Sequence, residues 1–305
     1  MYQRLEHPNP SLMNPLVSIG ISFHNNADML GDAIRSVFAQ TLQSWELILV
    51  DDHSSDCSLF IAQSVIDPRV RVYNGGAEKG FVFQLNRITQ MIRGKYYARM
   101  DADDMMHPER ISKQISYLEG NRNIDLVDTA IYSMDQQCNV KAIRNLNSLN
   151  CRPAILLGRG LLCHATVTGY GEWFKKNPYD PKYMRAEDRE LWCRTFKNSH
   201  FGRVKEPLYF VREGLVNVNN YLVSGRTERV IMKTYGHLHM GKYRVMQLIA
   251  KSYIKGYAYR LFSLVNSHDV LVNLRNQTLS KKEKAFATST IEQIRATHVP
   301  GLTES

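Results

Sequence analysis

Three aspartates fall within four residues, at Asp101, Asp103 and Asp104, directly after the apolar run KYYARM at 95–100. Carboxylates this close repel one another strongly unless a cation neutralises them. Their hard oxygen donors suit Mg²⁺ or Mn²⁺, held jointly with the diphosphate of a substrate. The competing reading is a solvated acidic loop, since acidic side chains favour surfaces. A second polar cluster, Asp51-Asp52-His53-Ser54-Ser55-Asp56, follows the run WELILV, and His24-Asn25 follows LVSIGISF. The cluster at 51–56 admits two readings, a ligand loop or a polar turn that caps the next helix.

The elements that position these groups are legible from periodicity. Val17, Ile19, Ile21 and Phe23 alternate, which predicts a strand, and Leu30, Ala33, Ile34, Val37 and Phe38 recur at helical spacing behind Asn26, a suitable N-cap. The pattern then repeats. WELILV (45–50) predicts a second strand, and the helix after it stops before Asp67-Pro68. RVRVY (69–73) is a third strand, 80–92 a helix with Phe81, Leu85, Ile88 and Ile92 on one face, and KYYARM a fourth strand. Pro108 suits the first turn of a helix ending at Gly120, DLVDTAIY (125–132) and LLCHATVT (161–168) are further strand candidates, and 187–196 is expected to be helical. Alternating β and α elements predict an α/β fold with a mostly parallel sheet flanked by helices. In such sheets ligands sit at the carboxyl ends of the strands, where all three polar clusters fall.

Charge divides the chain. Residues 1–213 carry 26 Lys and Arg against 24 Asp and Glu, whereas 214–305 carry 13 against 5, so most of the formal charge of +10 lies in the last third. We therefore expect an α/β domain over 1–213 and a basic, mainly helical C-terminal extension over 214–305. From Lys242 to Val265, tyrosines and aliphatic residues alternate with Lys242, Arg244, Lys251, Lys255 and Arg260, a composition that fits either a helix on an anionic membrane surface or a core helix with a basic outer side. The five cysteines are scattered, odd in number and free of zinc-site spacing, which predicts reduced thiols in a cytoplasmic protein. No apolar signal segment opens the sequence and no run of 18 apolar residues occurs, so the expectation is a cytoplasmic protein, in solution or peripheral on the inner face of the cell membrane.

Five segments, in order, make a specific pattern: PLVSIGISFHN, ELILVDDHSSD, EKGFVFQLNR, YYARMDADDMMHPERISKQ and GEWFKKNPYDPKYMRAEDRELWCRT. Together they resemble the family 2 glycosyltransferases of GT-A fold, over roughly residues 15–213. The resemblance implies an inverting transfer of a sugar from a nucleotide diphosphate sugar, a UDP-sugar by family habit, to a saccharide or lipid-linked acceptor in the synthesis of bacterial exopolysaccharide or lipopolysaccharide. It implies that His24, Asn25, Asp51 and Asp52 line the nucleotide, with Lys79, Asn86 and Arg99 nearby. Asp101 and Asp103 match the D-x-D element; a register through Asp103 and Asp104 is also open, so the metal, Mn²⁺ or Mg²⁺, falls mainly to Asp103. Glu187-Asp188 matches the family's ED pair and makes Asp188 the general base. The competing reading has the pair merely complementing a helix N-terminus. His164 corresponds to a histidine near the acceptor, or is simply packed in its strand. Trp173, Trp192 and Tyr179 fit core positions better than a sugar platform.

Other classes fit less well. A dinucleotide-binding dehydrogenase needs G-x-G-x-x-G where this chain has His24-Asn25-Asn26-Ala27. A basic nucleic-acid- or membrane-binding protein without catalysis explains the C-terminal charge but not the acidic loops, and no nucleic-acid-binding motif is present.

Overall fold

The computed structural model describes residues 14–213, 218–264 and 277–302. Nine strands form one sheet: β1 (Val17–Phe23), β2 (Trp45–Asp51), β3 (Val70–Asn74), β4 (Tyr96–Asp101), β5 (Met105–Met106), β6 (Leu126–Met134), β7 (Val140–Arg144), β8 (Thr168–Tyr170) and β9 (Phe201–Arg212). The spatial order is β3-β2-β1-β4-β8-β6-β9-β5, with β7 against β6. The first four strands are parallel, as the alternation predicts. Beyond β4 the sheet is mixed: β8 runs antiparallel to both β4 and β6, whereas β9 is parallel to β6.

Register decides where chemistry sits. Phe23 pairs with Asp51, Ser22 with Asp101, and Asp51 with Asn74, so the loops after β1, β2 and β4 leave the sheet at one edge. Strands β1 and β2 are buried along their whole length; β2 reads as a nearly continuous apolar run, whereas β1 alternates apolar residues with the small Ser18, Gly20 and Ser22. Helices α1 (Ala27–Phe38), α2 (Ser58–Ser64), α3 (Phe81–Gln90) and α4 (Arg110–Gly120) cover its faces. Leu30, Ala33, Ile34 and Val37 of α1 join β1 and β2 in one core cluster, and Leu85 and Ile88 of α3 join Ile48 and Val50 in another.

Two local expectations change. Asn26 holds the N-cap position of α1 but makes no side-chain cap bond; its amide oxygen accepts from the His24 N–H at 3.0 Å. The free N–H groups are taken instead by the next loop, Ala27 by Asp56 at 3.0 Å and Asn26 by Ser58 at 2.8 Å. The segment 161–168 is not a strand. His164–Thr166 form a 3₁₀ turn, tightened by Thr166 Oγ1 donating to the Cys163 carbonyl, and extended structure begins at Thr168.

After α5 (Pro153–Arg159), α6 (Gly171–Lys176) and α7 (Glu187–Thr195), the C-terminal third contributes α8 (Val218–His239), α9 (Lys242–Leu264) and α10 (Lys281–Arg295). Helices α8 and α9 are an antiparallel pair, Tyr221 stacking on Tyr259 and Arg229 reaching Ser252. Helix α8 packs on α7: Ile231 and Met232 join the cluster of Leu191 and Trp192, the Tyr235 hydroxyl donates to Glu190 at 2.6 Å, and Glu228 pairs with Arg189. Helix α10 opens with a Ser280/Glu283 capping box and buries Ala287, Ile291 and Ile294 against Met105, Tyr132 and Phe210. Burying each large aliphatic side chain contributes about 1.5–3 kcal/mol, which fixes both ends of this region to the α/β sheet. Val265, the last residue of the basic stretch, lies outside the described residues.

Candidate active site

The loops after β1 and β2 are laced together. The Asn25 amide oxygen accepts from the Ser55 N–H at 2.8 Å, the Asn25 N–H donates to Ser54 Oγ at 3.0 Å, and the His24 ring meets the Asp52 carbonyl at 2.7 Å. Asn25 and His53 both adopt positive φ, at 52° and 62°, the conformation such short polar residues tolerate in tight turns. Asp51 folds back on its own loop, accepting from the Ser54 N–H at 3.0 Å. Asp52 reaches across to α3, accepting from the Gly80 N–H at 2.8 Å and Gln84 Nε2 at 3.0 Å. Gly80 has φ of 117°, open to glycine alone, so its N–H can turn toward Asp52. Lys79, next to it, is exposed. Asn86 is committed elsewhere: its amide donates to the Tyr179 carbonyl and accepts from the Tyr179 N–H, both at 2.8 Å. It thereby pins the loop whose Tyr179 hydroxyl meets His164 Nε2 at 2.9 Å.

At the end of β4, one carboxylate oxygen from each of Asp101, Asp103 and Asp104 can lie within 4.8 Å of the others. Their partners differ. Asp101 is paired with Arg99, one contact being 2.9 Å, and its N–H donates to the Tyr209 hydroxyl at 3.0 Å. Asp104 is buried and accepts from the Arg212 N–H at 2.8 Å. Among the described residues no other side chain hydrogen-bonds the Asp103 carboxylate, and Arg212 Nε holds the Asp103 carbonyl at 2.9 Å. Burial and then the neighbouring Asp101 charge push the Asp103 carboxyl above its usual range, and burial with both neighbours pushes Asp104 well above it. Crowded, half-desolvated oxygen donors of this kind fit a hard divalent cation, with Asp103 the carboxylate left available to it.

Glu187 and Asp188 open α7 beside this edge. Glu187 is buried, its Oε2 has no hydrogen-bond partner, and burial followed by the Asp188 charge raises its carboxyl to about 7. Burial raises Asp188 as well, offset by the Arg189 and Arg99 charges. Burial, then the Arg99 charge, lower His164 well below the ordinary histidine value, so it is a neutral hydrogen-bonding group. Arg99 is the common neighbour. It is buried in β4, and its charge bears on Asp101, Asp103, His164, Glu187 and Asp188 alike.

Several of these groups escape sequence reading. Tyr209 and Arg212 lie in β9, more than a hundred residues from the aspartates they hold, and reach them because β9 pairs with β5 just after the cluster. The short apolar run Leu208–Val211 is of strand type; nothing local marks its partners. Arg110 donates to the Arg99 carbonyl at 2.8 Å and lies 4.9 Å over the Tyr209 ring, a second buried support for the same loop. Trp173, Trp192 and Tyr179 are buried, as their core reading requires.

An α/β sheet that gathers its carboxylates at the carboxyl edge is the architecture of GT-A glycosyltransferases, and solved structures of such enzymes share it. Residues 1–349 of Staphylococcus aureus TarS, solved with UDP-GlcNAc, match with a TM-score of 0.59 at 13% identity, covering 94% of this chain and 81% of that one. The mannosyltransferase PcManGT of Pyrobaculum calidifontis, solved with GDP-Man and Mn²⁺, matches with a TM-score of 0.54 at 10% identity, covering 92% and 86%. The chain belongs to glycosyl transferase family 2, whose profile matches residues 18–198, and it is a glycosyltransferase. EpsE of Bacillus subtilis, a protein named for glycosyltransferase activity, is 32% identical over 206 residues, 65% of this chain and 73% of that protein. Escherichia coli WfaP, named a UDP-Glc:α-D-GlcNAc-diphosphoundecaprenol β-1,3-glucosyltransferase, is 26% identical over 219 residues, 68% and 81%.

Proposed function

We propose that this enzyme transfers a sugar, with inversion, from a UDP-sugar to a saccharide carried on a lipid in cell-surface polysaccharide synthesis. The observation that carries the reading is the common neighbourhood of Arg99: this buried cation pairs with Asp101, and its charge acts on Asp103 and on the Glu187-Asp188 pair as well. The loops of His24-Asn25 and Asp51-Asp52 would receive the nucleoside. Asp103, with Asp101 or Asp104, would hold Mn²⁺ or Mg²⁺, which when bound supplies positive charge to the leaving diphosphate. Asp188 accepts the proton of the acceptor hydroxyl as its oxygen bonds to the anomeric carbon. The bond from that carbon to the diphosphate breaks, and the departing nucleotide keeps the electron pair. Glu187, raised to about 7, is protonated below that value and adds no second negative charge beside Asp188 there. Neutral His164, oriented by Tyr179, is suited to hydrogen-bond a sugar hydroxyl.

The UDP donor is supported by the ligand of the TarS structure and the donor in WfaP's name, the metal by the Mn²⁺ of PcManGT, and a lipid diphosphate acceptor by WfaP's name. No helix among the described residues is long and apolar enough to cross a membrane. Contact with the lipid is assigned instead to α9, where Tyr243, Met246, Ile254 and Tyr257 are exposed among basic residues without an acidic one, on the cytoplasmic face of an anionic membrane. The test is a screen of UDP-, GDP- and dTDP-sugars for thermal stabilisation and metal-dependent hydrolysis. UDP-sugars should give both; stabilisation by GDP-sugars alone would replace the donor, and none with any nucleotide sugar would remove the reading.

A further inference from the structure

Helix α3 makes polar contacts with two separate parts of the site. To the nucleotide loop, the Gly80 N–H at its N-cap and Gln84 Nε2 both donate to Asp52. To the segment before α7, Asn86 Nδ2 donates to the Tyr179 carbonyl and Asn86 Oδ1 accepts from the Tyr179 N–H, each at 2.8 Å. A side-chain amide that satisfies both backbone groups of one residue fixes its place and its orientation together, as a paired strand would.

The residue held in this way differs from its neighbours. Between Asn177 and Arg185 only Tyr179 is buried, the rest being exposed or half-buried. Its hydroxyl meets His164 Nε2 at 2.9 Å and has no other hydrogen-bond partner among the described residues. Burial holds the phenol well above its ordinary value and the His164 ring well below its own, so both groups are neutral. A neutral phenol has one proton to give, and the one acceptor it meets is Nε2. The O–H therefore donates to Nε2 and the ring proton sits on Nδ1, which has no partner among the described residues and is left as a free N–H.

His164 also lies beside the helix of the base. Its ring stands edge-on to Trp192 with the centroids 6.2 Å apart, and Trp192 shares a face of α7 with Asp188, one turn earlier. We infer that Asn86 is a positioning residue for the acceptor: by clamping the Tyr179 backbone to α3 it holds the phenol that sets the His164 tautomer, and so presents the Nδ1 N–H to an acceptor hydroxyl. The inference rests on the part given to His164 above. One helix then serves the nucleotide through Gln84 and the acceptor through Asn86.

Two measurements on the full chain test it. The first reads the tautomer by long-range proton–nitrogen NMR correlation of the imidazole rings, with His164→Gln identifying the signals. The wild-type ring should carry its proton on Nδ1. In Asn86→Ala and in Tyr179→Phe both nitrogens should move toward the average of the two tautomers, and the double variant should match Tyr179→Phe alone, because the clamp acts through the phenol. Arg194 Nη2 still holds the neighbouring Pro178 carbonyl at 2.6 Å, which keeps the loop attached in these variants. Should Asn86→Ala fail to give the wild-type far-UV circular dichroism, Asn86→Asp takes its place, since it keeps the shape and loses the donor to the Tyr179 carbonyl. A wild-type proton on Nε2, or ring nitrogens unmoved in a folded Asn86 variant, overturns the inference. The second measurement is transfer to α-D-GlcNAc diphosphate on a short alkyl chain, from the UDP-sugar that the donor screen selects. Asn86→Ala should raise the acceptor KM about tenfold, the worth of one neutral hydrogen bond, with the donor KM unchanged. A rise in the donor KM instead returns Asn86 to the nucleotide and overturns the inference. A wild type that transfers nothing to this acceptor removes the acceptor class proposed above, and the ring nitrogens then decide the part of Asn86.

Discussion

Replacing Glu187 with glutamine keeps the shape of a buried side chain and removes its charge. In the folded enzyme the Glu187 carboxyl is raised from the usual 4.5 to about 7, first by burial and then by the Asp188 charge. Its Oε2 has no compensating hydrogen bond. A raised folded-state value means that the protonated carboxyl is tolerated below the unfolded value, and that stability is lost as pH climbs through about 7. At about 1.4 kcal/mol per tenfold change in proton affinity, the interval from 4.5 to about 7 amounts to about 3 kcal/mol. Glu187→Gln escapes this loss. Urea unfolding of both proteins from pH 4 to pH 9 therefore should show the difference in their stabilities moving by about 3 kcal/mol in favour of the variant. Most of the change should fall between about pH 5 and pH 7.5. Any constant offset from the amide itself does not affect that slope. A pH-independent difference, or a variant that loses ground at high pH, would refute the account of Glu187 as an uncompensated buried acid.

Asp188→Asn should lower the turnover rate by about 10² to 10⁴, the usual contribution of a general base, and leave UDP affinity nearly unchanged. Most of the turnover retained, or the same loss from Glu187→Gln alone, would move the base. Asp103→Ala should remove Mn²⁺-dependent UDP binding in calorimetry while far-UV circular dichroism stays that of the wild type; unaltered metal-dependent binding would place the ion elsewhere. Lys251→Glu with Lys255→Glu should reduce sedimentation with anionic vesicles, as should raised salt with the wild-type protein. Equal sedimentation under all conditions would leave α9 without a lipid role.

The parallel half of the fold was legible because burial on both faces forces apolar runs of strand length, and the polar residues that end them mark the ligand edge, as at Phe23-His24, Val50-Asp51 and Met100-Asp101. The acidic triplet was legible because like charges so close in sequence need a reason, and the Glu187-Asp188 pair through its resemblance to a family motif. Their partners were not. Tyr209, Arg212 and Arg110 reach the aspartate loop only through strand pairing and helix packing, and their spacing in the chain carries no trace of it. The resemblance puts Asn86 in the nucleotide-proximal segment; that its amide bonds the backbone of Tyr179, 93 positions away, only the fold decides. The segment around His164 carries a strand's apolar composition, but Thr166 bonding back to Cys163 bends it into a turn that presents His164 to Tyr179. The basic C-terminal third shows the division most plainly. Composition determined that it would be helical and positive, whereas only tertiary packing decided that α8 would grip α7 through Glu190 and Arg189 and that Ile291 would enter the sheet's core. Local sequence sets the period of an element, and long-range contact sets which of its faces is left to do chemistry.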